Sequence, residues 1–146
     1  MVIFSTLLMG LGLFGAPPPE IRTIARGTFS GLQEPMQLAV TNQSQWTELW
    51  ARHSVRNEPR TPAPEIDFSK ETILLVTLGQ QRTGGYSVEI TGVEQQEGKT
   101  VVLVSTREPK PGGLNIQVLT APFHIVAVPK IRGEPAFKEA RKPSAN

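Results

Sequence analysis

Few side chains in this chain of 146 residues could perform covalent or acid–base chemistry. The absence of cysteine excludes disulfides, thiolate catalysis and zinc sites built on cysteine. No motif links either histidine, His53 or His124, to a serine, and no GxSxG sequence occurs. No HxH, HxxxH or carboxylate cluster supplies the ligands that a metal needs. The sequence therefore predicts no catalytic residue, no metal site and no cofactor, and it indicates binding as the function.

The loop at 79–85 has the composition of a recognition element. It follows a continuous apolar run at 73–78 and precedes the alternating segment 86–90, so a stiff hairpin is predicted. The adjacent Gly84 and Gly85 can adopt positive φ and allow another backbone to approach closely. The loop exposes one cation, Arg82, and such loops often carry binding residues. The alternative is a tight connection and nothing more, which the spacing alone favours.

A second glycine loop, at 108–114, follows the next strand of the predicted fold. If the strands bring both loops to one end of the molecule, they would form a small polar patch around Arg82. The proline-rich surface loop at 54–65 would add contact area to it. The predicted partner-binding residues are Gln80, Gln81, Arg82, Thr83, Gly84, Gly85, Tyr86, Pro111, Gly112 and Gly113.

One helix must pack on the strands that hold these loops. Both tryptophans, Trp46 and Trp50, share a stripe with Leu49 and His53 at helical spacing, and either Thr41 or Asn42 can cap the helix. This pattern is typical of a helix that buries its indoles in the core. A ligand platform formed by Trp46 or Trp50 is the alternative. His124 is predicted to be a half-buried strand residue that is hydrogen-bonded to backbone.

Short apolar runs separated by turn residues predict a mainly β fold. We expect an antiparallel sandwich or open barrel of six to eight short strands with one amphipathic helix packed on it. The apolar run at 72–79 should be the central strand, covered on both faces, and 134–141 should add an edge strand. Residues 21–141 are expected to form this single domain.

The ends of the chain differ from the domain in composition. Residues 1–16 form an apolar run without a charged side chain, which indicates a signal for export or a weak membrane anchor. A proline-rich spacer at 17–20 follows, and 142–146 is expected to be a loose tail. The net charge of +2 does not indicate nucleic acid. The sequence therefore predicts a location in the periplasm or at the cell surface, with membrane contact only through an uncleaved leader.

Several short motifs, in order along 40–130, resemble the C-terminal domain of PrcB-type protease-complex subunits. They are Trp46…Leu49-Trp50, Ile66-Asp67-Phe68, Leu78-Gly79, Thr83-Gly84-Gly85-Tyr86-Ser87-Val88…Ile90, Pro109…Pro111-Gly112 and Pro122-Phe123-His124-Ile125-Val126…Val128-Pro129. This family is named for a subunit that binds and stabilises a surface protease. The resemblance implies a non-catalytic accessory subunit whose partner is another protein, such as a protease.

A second similarity is to the chagasin-type inhibitors of cysteine proteases. These are β-sandwiches that insert a Thr-Thr-Gly-Tyr loop and a glycine-rich loop into an active-site cleft. Here the segments 83–86 and 111–113 are the similar positions, whereas Gln81-Arg82 replaces the expected Asn-Pro and an Arg-Pro-Trp loop is missing. This similarity implies inhibition of a protease as an alternative function.

Overall fold

The structure is a computed structural model, and it describes residues 20–57 and 59–140. The predicted leader at 1–16, the proline residues of the spacer and the predicted tail at 142–146 lie outside the described residues. Within the described ranges, no helix has the length and apolar character needed to cross a bilayer.

The described residues form seven strands in two sheets, with the order β1-β6-β3-β2 in the first and β4-β5-β7 in the second. The strands are β1 (Arg22–Gly27), β2 (Pro35–Val40), β3 (Glu71–Leu78), β4 (Ser87–Gln96), β5 (Lys99–Arg107), β6 (Phe123–Pro129) and β7 (Ala136–Glu139). The two sheets make the fold a sandwich, as predicted. One pairing departs from the antiparallel prediction, because β7 runs parallel to β5.

The predicted helix is present as α1 (Gln43–His53), and a 3₁₀ turn at Ser54–Arg56 continues it. The side chain of Asn42 caps it by accepting a 2.9 Å hydrogen bond from the backbone N–H of Gln45. Trp46 and Trp50 are 0% and 8% exposed. Their indole N–H groups donate to the carbonyl oxygens of Pro64 and Thr61, each at 2.9 Å. The prediction that the indoles are core residues is confirmed.

The four-stranded sheet lies between two apolar cores. Ile73 and Leu75 of β3 face α1, whereas Leu74 and Val76 face the three-stranded sheet. Successive side chains of a strand point to opposite faces, so a strand covered on both sides needs a continuous apolar run. β3 is therefore the central, doubly covered strand that its sequence predicted.

The glycine loops owe their position to the way the chain changes sheets. β3 and β4 belong to different sheets, so the predicted hairpin at 79–86 is wrong, and this loop is a crossing from one sheet to the other. The segment 108–122 is the return crossing from β5 to β6. Thr77 pairs with Phe123 and Ser87 pairs with Arg107, so both crossings leave the same end of the sandwich. Gly27 also pairs with Phe123, which brings the segment 28–34 to this end. The segments 28–34, 79–86 and 108–122 are called the loop end below.

Candidate functional site

The two crossings are joined by hydrogen bonds. Gln81 and Thr120 form an isolated antiparallel bridge, with N···O distances of 2.7 and 2.9 Å. The hydroxyl group of Thr120 donates to the carbonyl oxygen of Thr83 at 2.9 Å. The backbone N–H of Gly84 donates to the carbonyl oxygen of Ile116 at 2.8 Å. The loops at 79–86 and 108–122 therefore form one surface of fixed geometry.

The glycine pair in the first crossing has two different roles. Gly85 has a φ of +91°, which favours glycine, whereas Gly84 is outside the positive-φ region. A Cβ atom added to Gly85 would lie 2.6 Å from Oδ1 of Asn115 and 2.8 Å from Cβ of Pro109. Of the two glycines, only Gly85 therefore uses the positive φ that both could adopt. At Gly85 the close approach is made by side-chain atoms of Asn115 and Pro109 in the second crossing.

The tip of the second crossing is a tight turn. The backbone N–H of Gly113 donates to the carbonyl oxygen of Lys110 at 3.0 Å, and Gly112 has a φ of +78°. Proline at the second position and positive φ at the third are the pattern of a type II turn. No atom lies within 4 Å of a Cβ added to Gly112. This turn therefore projects into solvent.

The ten predicted site residues all lie at the loop end, in two groups. Gln81, Thr83, Gly84 and Gly85 join the two crossings, so they determine the shape of the surface. The other predicted residues are the exposed Gln80, Arg82, Pro111, Gly112 and Gly113 and the half-buried Tyr86, and Gly85 of the first group is exposed as well. The structure thus brings the predicted residues together.

The start of the proline-rich loop reaches the loop end. A Cβ added to Gly31 would lie 2.5 Å from Cγ1 of Val55, which places Val55 against the 28–34 segment. Farther along, the carbonyl groups of Thr61 and Pro64 bind the indoles of α1. The 54–65 loop therefore approaches the loop end through Val55, whereas Thr61 and Pro64 serve α1.

A polar cleft of about 890 Å³ adjoins the second crossing. Its lining includes Ser87 and Glu89 of β4 and the start of the crossing at 107–111. Arg26 reaches it from the other sheet and pairs with Glu89 at 3.3 Å. The cleft carries charges of both signs, which suits a polar peptide surface better than an apolar small molecule.

His124 connects the two sheets. Its Nδ1 atom accepts a 2.9 Å hydrogen bond from the backbone N–H of Ile90, so the proton lies on Nε2, which donates to the hydroxyl oxygen of Thr23 at 3.0 Å. The predicted bond to backbone is present, and the side chain is buried, at 3% exposure. Burial, followed by the positive charge of Arg26, lowers the pKa of His124, and Glu89 acts in the opposite direction. The imidazole is therefore a neutral structural link.

His53 pairs with a serine that no sequence motif indicated. Its Nδ1 atom lies 2.9 Å from Oγ of Ser30, and Oγ also accepts from the backbone N–H of Leu32 at 3.0 Å. Ser30 and His53 are 0% and 5% exposed, and burial lowers the pKa of His53. Within the described residues, no carboxylate is hydrogen-bonded to His53. Because Ser30 is enclosed, a substrate cannot reach its hydroxyl group, and the pair fastens the end of α1 to the 28–34 segment.

The second crossing also exposes apolar side chains that were not among the predicted site residues. Leu114, Ile116, Val118 and Leu119 are all exposed and follow directly after the 110–113 turn. Ile116 and Val118 alternate with polar residues in the sequence, a pattern typical of a strand with one covered face. The structure forms no strand there, so these side chains remain on the surface.

The fold and this surface together define a β-sandwich domain with joined crossing loops at one end. Residues 72–129 match the family model described as PrcB C-terminal, which confirms the resemblance seen in the sequence. The matched segment runs from β3 to β6 and contains both crossings. Searches of the curated proteins and of the solved structures found no match. The similarity to chagasin-type inhibitors is not supported by these comparisons.

Proposed function

We propose that the chain is a non-catalytic, exported protein-binding module that acts as an accessory subunit of an extracytoplasmic protease. The match of residues 72–129 to a family of protease-complex subunits supports the class of partner. The apolar, charge-free segment at 1–16 supports export. The enclosure of the Ser30–His53 pair supports a role in binding rather than catalysis.

The hydrogen bonds between the two crossings are the observation that carries this proposal. They hold the exposed Arg82 and the turn at Gly112 on one preordered surface. A surface that is ordered before binding loses less conformational entropy when a partner docks. The nearby polar cleft adds charged groups that can orient the partner.

The binding test uses the full chain as bait in an envelope extract from cells that produce it. We expect a protease, identified by mass spectrometry, to be retained by the wild type. The double variant Arg82→Glu/Gly112→Trp should lose it, because the variant reverses the charge and obstructs the turn. Retention of the same protease by this variant would exclude the loop end as the interface.

A matched control lies at the opposite end of the sandwich. Gly98 also has positive φ, at +80°, with no atom within 4 Å of an added Cβ, and Arg132 lines the same shallow pocket as Gly98. The variant Arg132→Glu/Gly98→Trp therefore makes the same chemical changes away from the loop end. It should retain the protease as well as the wild type does.

The activity of the captured protease separates a stabilising subunit from an inhibitor. We expect the protease to remain active and to lose activity more slowly when the chain is bound. Inhibition of cysteine or serine proteases by micromolar chain would instead support the chagasin-like alternative. Sequencing of the mature N-terminus tests export, and a terminus unchanged from Met1 in an exported chain would indicate an uncleaved anchor.

A further inference from the structure

The exposed apolar surface of the described residues is concentrated at the loop end. In the segment 114–119, Leu114 is 105% exposed, Ile116 76%, Val118 40% and Leu119 51%. The other large exposed apolar side chains, Phe29 and Val55, are 54% and 49% exposed. Phe29 forms a bridge with Ala121, two residues after Leu119, and Val55 lies against Gly31. Single exposed apolar residues are ordinary, but a cluster of several hundred Å² marks an interaction site.

The segment 114–119 is part of no strand, and it bends at Val118, whose backbone N–H donates to the carbonyl oxygen of Ile116 at 3.0 Å. Its side chains alternate in polarity, with Asn115 and Gln117 between the apolar residues, as they do in a strand with one covered face. Among the described residues, the backbone N–H groups of Leu114, Gln117 and Leu119 have no hydrogen-bond partner. Both the side chains and the backbone are thus available to a second molecule.

The segment is nevertheless held in place. The carbonyl oxygen of Ile116 accepts from Gly84, and Thr120 is bridged to Gln81 directly after the segment. Docking would therefore bury apolar area without first ordering a flexible loop, which lowers the entropic cost of binding.

The surrounding charge indicates the chemistry of the partner. The loop end and the adjacent end of β5 carry three cations, Arg82, Arg107 and Lys110, and two carboxylates, Glu34 and Glu108. The ion pairs within the described residues are Arg22–Glu71 and Arg26–Glu89, so those three cations belong to neither. An excess of positive charge around the apolar segment favours a partner with carboxylates at the border of its own surface.

The free backbone groups favour a protein over a lipid surface. Hydrocarbon cannot hydrogen-bond to the N–H groups of the segment, whereas a protein can pair with them. We propose that the segment 114–119 is the apolar centre of the docking surface, and that its occupant is a protein with an apolar groove bordered by acidic side chains. This inference rests on the proposed function and specifies the partner's surface.

In the test, a display library of random twelve-residue peptides is selected for binding to the full chain. The affinity of the chain for the consensus peptide is then measured. We expect enrichment of apolar residues together with Asp or Glu. Ile116→Ser should weaken binding about tenfold or more, because it removes a central apolar contact. The neighbouring variant Gln117→Ser is the matched control and should bind within about twofold of the wild type.

Several outcomes would overturn the proposal. They are the absence of any enriched sequence, enrichment of basic peptides, and equal effects of Ile116→Ser and Gln117→Ser. A wild-type dimer in sedimentation that Ile116→Ser dissociates would identify a second copy as the occupant. Sedimentation of the wild type, but not Ile116→Ser, with phosphatidylglycerol vesicles would identify a lipid surface.

The protease capture described above separates this inference from the proposed function. If Arg82→Glu/Gly112→Trp loses the protease but Ile116→Ser retains it, the function stands and the apolar centre is wrong. If both variants retain the protease, the loop end is not the interface and the inference fails, whereas the accessory role stands; capture of no protease by the wild type would overturn the proposed function itself.

Discussion

The backbone N–H of Gly84 donates a 2.8 Å hydrogen bond to the carbonyl oxygen of Ile116. This bond joins a residue of the predicted polar patch to the centre of the exposed apolar segment. The polar tip at Arg82 and the apolar residues at 114–119 are therefore parts of one surface. Substitutions in either part should therefore change the affinity of a partner that contacts the other part.

Gly85→Ala should destabilise the protein, whereas Gly84→Ala should be nearly neutral. Alanine at Gly85 would be strained at a φ of +91° and would contact Asn115 and Pro109, so we expect a loss of about 1–3 kcal/mol. At Gly84 the nearest atom to an added Cβ is 3.7 Å away, and the change should stay within about 0.5 kcal/mol. Urea denaturation measures both. Equal stability of the two variants would contradict the close approach at Gly85.

The free energy of unfolding should decrease as the pH is lowered below the ordinary pKa of histidine. The pKa values of His53 and His124 are lowered in the folded state, mainly by burial. Between the lowered pKa and about 6.5, the unfolded chain binds more protons, so acid favours unfolding. The stability contributed by the neutral imidazoles is complete above that range and is lost as the pH falls through it. Denaturation midpoints at a series of pH values measure the slope.

Two substitutions at His124 separate its hydrogen bond from its titration. His124→Asn keeps an acceptor for the backbone N–H of Ile90 and should reduce the pH slope with a modest loss of stability. His124→Phe leaves this buried N–H unpaired and should cost about 1–3 kcal/mol more. An unchanged pH slope in His124→Asn would show that His124 does not contribute to it.

Trp46→Ala should be among the most destabilising substitutions in α1. The indole is fully buried and donates to Pro64, so we expect a loss of about 3–5 kcal/mol. The adjacent Thr47 is exposed, and Thr47→Ala should stay within about 0.5 kcal/mol. Thermal or urea denaturation provides the comparison. In the wild type, we expect blue-shifted tryptophan emission that acrylamide quenches only weakly. Strong quenching would instead support the ligand-platform alternative.

Ser30→Ala should affect stability rather than any hydrolytic activity. The buried backbone N–H of Leu32 would lose its acceptor, at a cost of about 1–3 kcal/mol. Because the serine is enclosed, the wild type should not react with a fluorophosphonate that labels catalytic serines. Labelling of the wild type that disappears in Ser30→Ala would show that this pair is catalytic after all.

Local patterns were sufficient to predict most of the elements. The helix followed from the spacing of Trp46 and Trp50, and the central strand followed from its continuous apolar run. The partition of β3 and β4 into different sheets was not predictable in this way, because the choice of a pairing partner depends on long-range packing rather than on the turn. The resulting error was a hairpin where the chain crosses between sheets. The edge strand β7 was predicted, but its parallel pairing with β5 was missed for the same reason.

The candidate site was predictable in composition but not in arrangement. Both glycine loops were visible in the sequence. That they lie at the same end of the molecule could only be assumed, because the sequence does not give the pairing of the strands. The contact of Ser30 with His53 and the exposure of Ile116 depend on how distant segments meet. Sequence alternation marks a face of a strand, but it does not show whether the same chain covers that face.

The two-sided central sheet also limits how the domain can be subdivided. The family match at 72–129 includes β3 and β6, whereas α1, which covers one of their faces, lies outside it. A recombinant fragment cut at those boundaries would lack α1. It would therefore expose Ile73, Leu75 and Ile125 to solvent and would be prone to aggregate. Expression plasmids should therefore encode at least residues 20–140, and loops grafted from relatives should be exchanged within that frame.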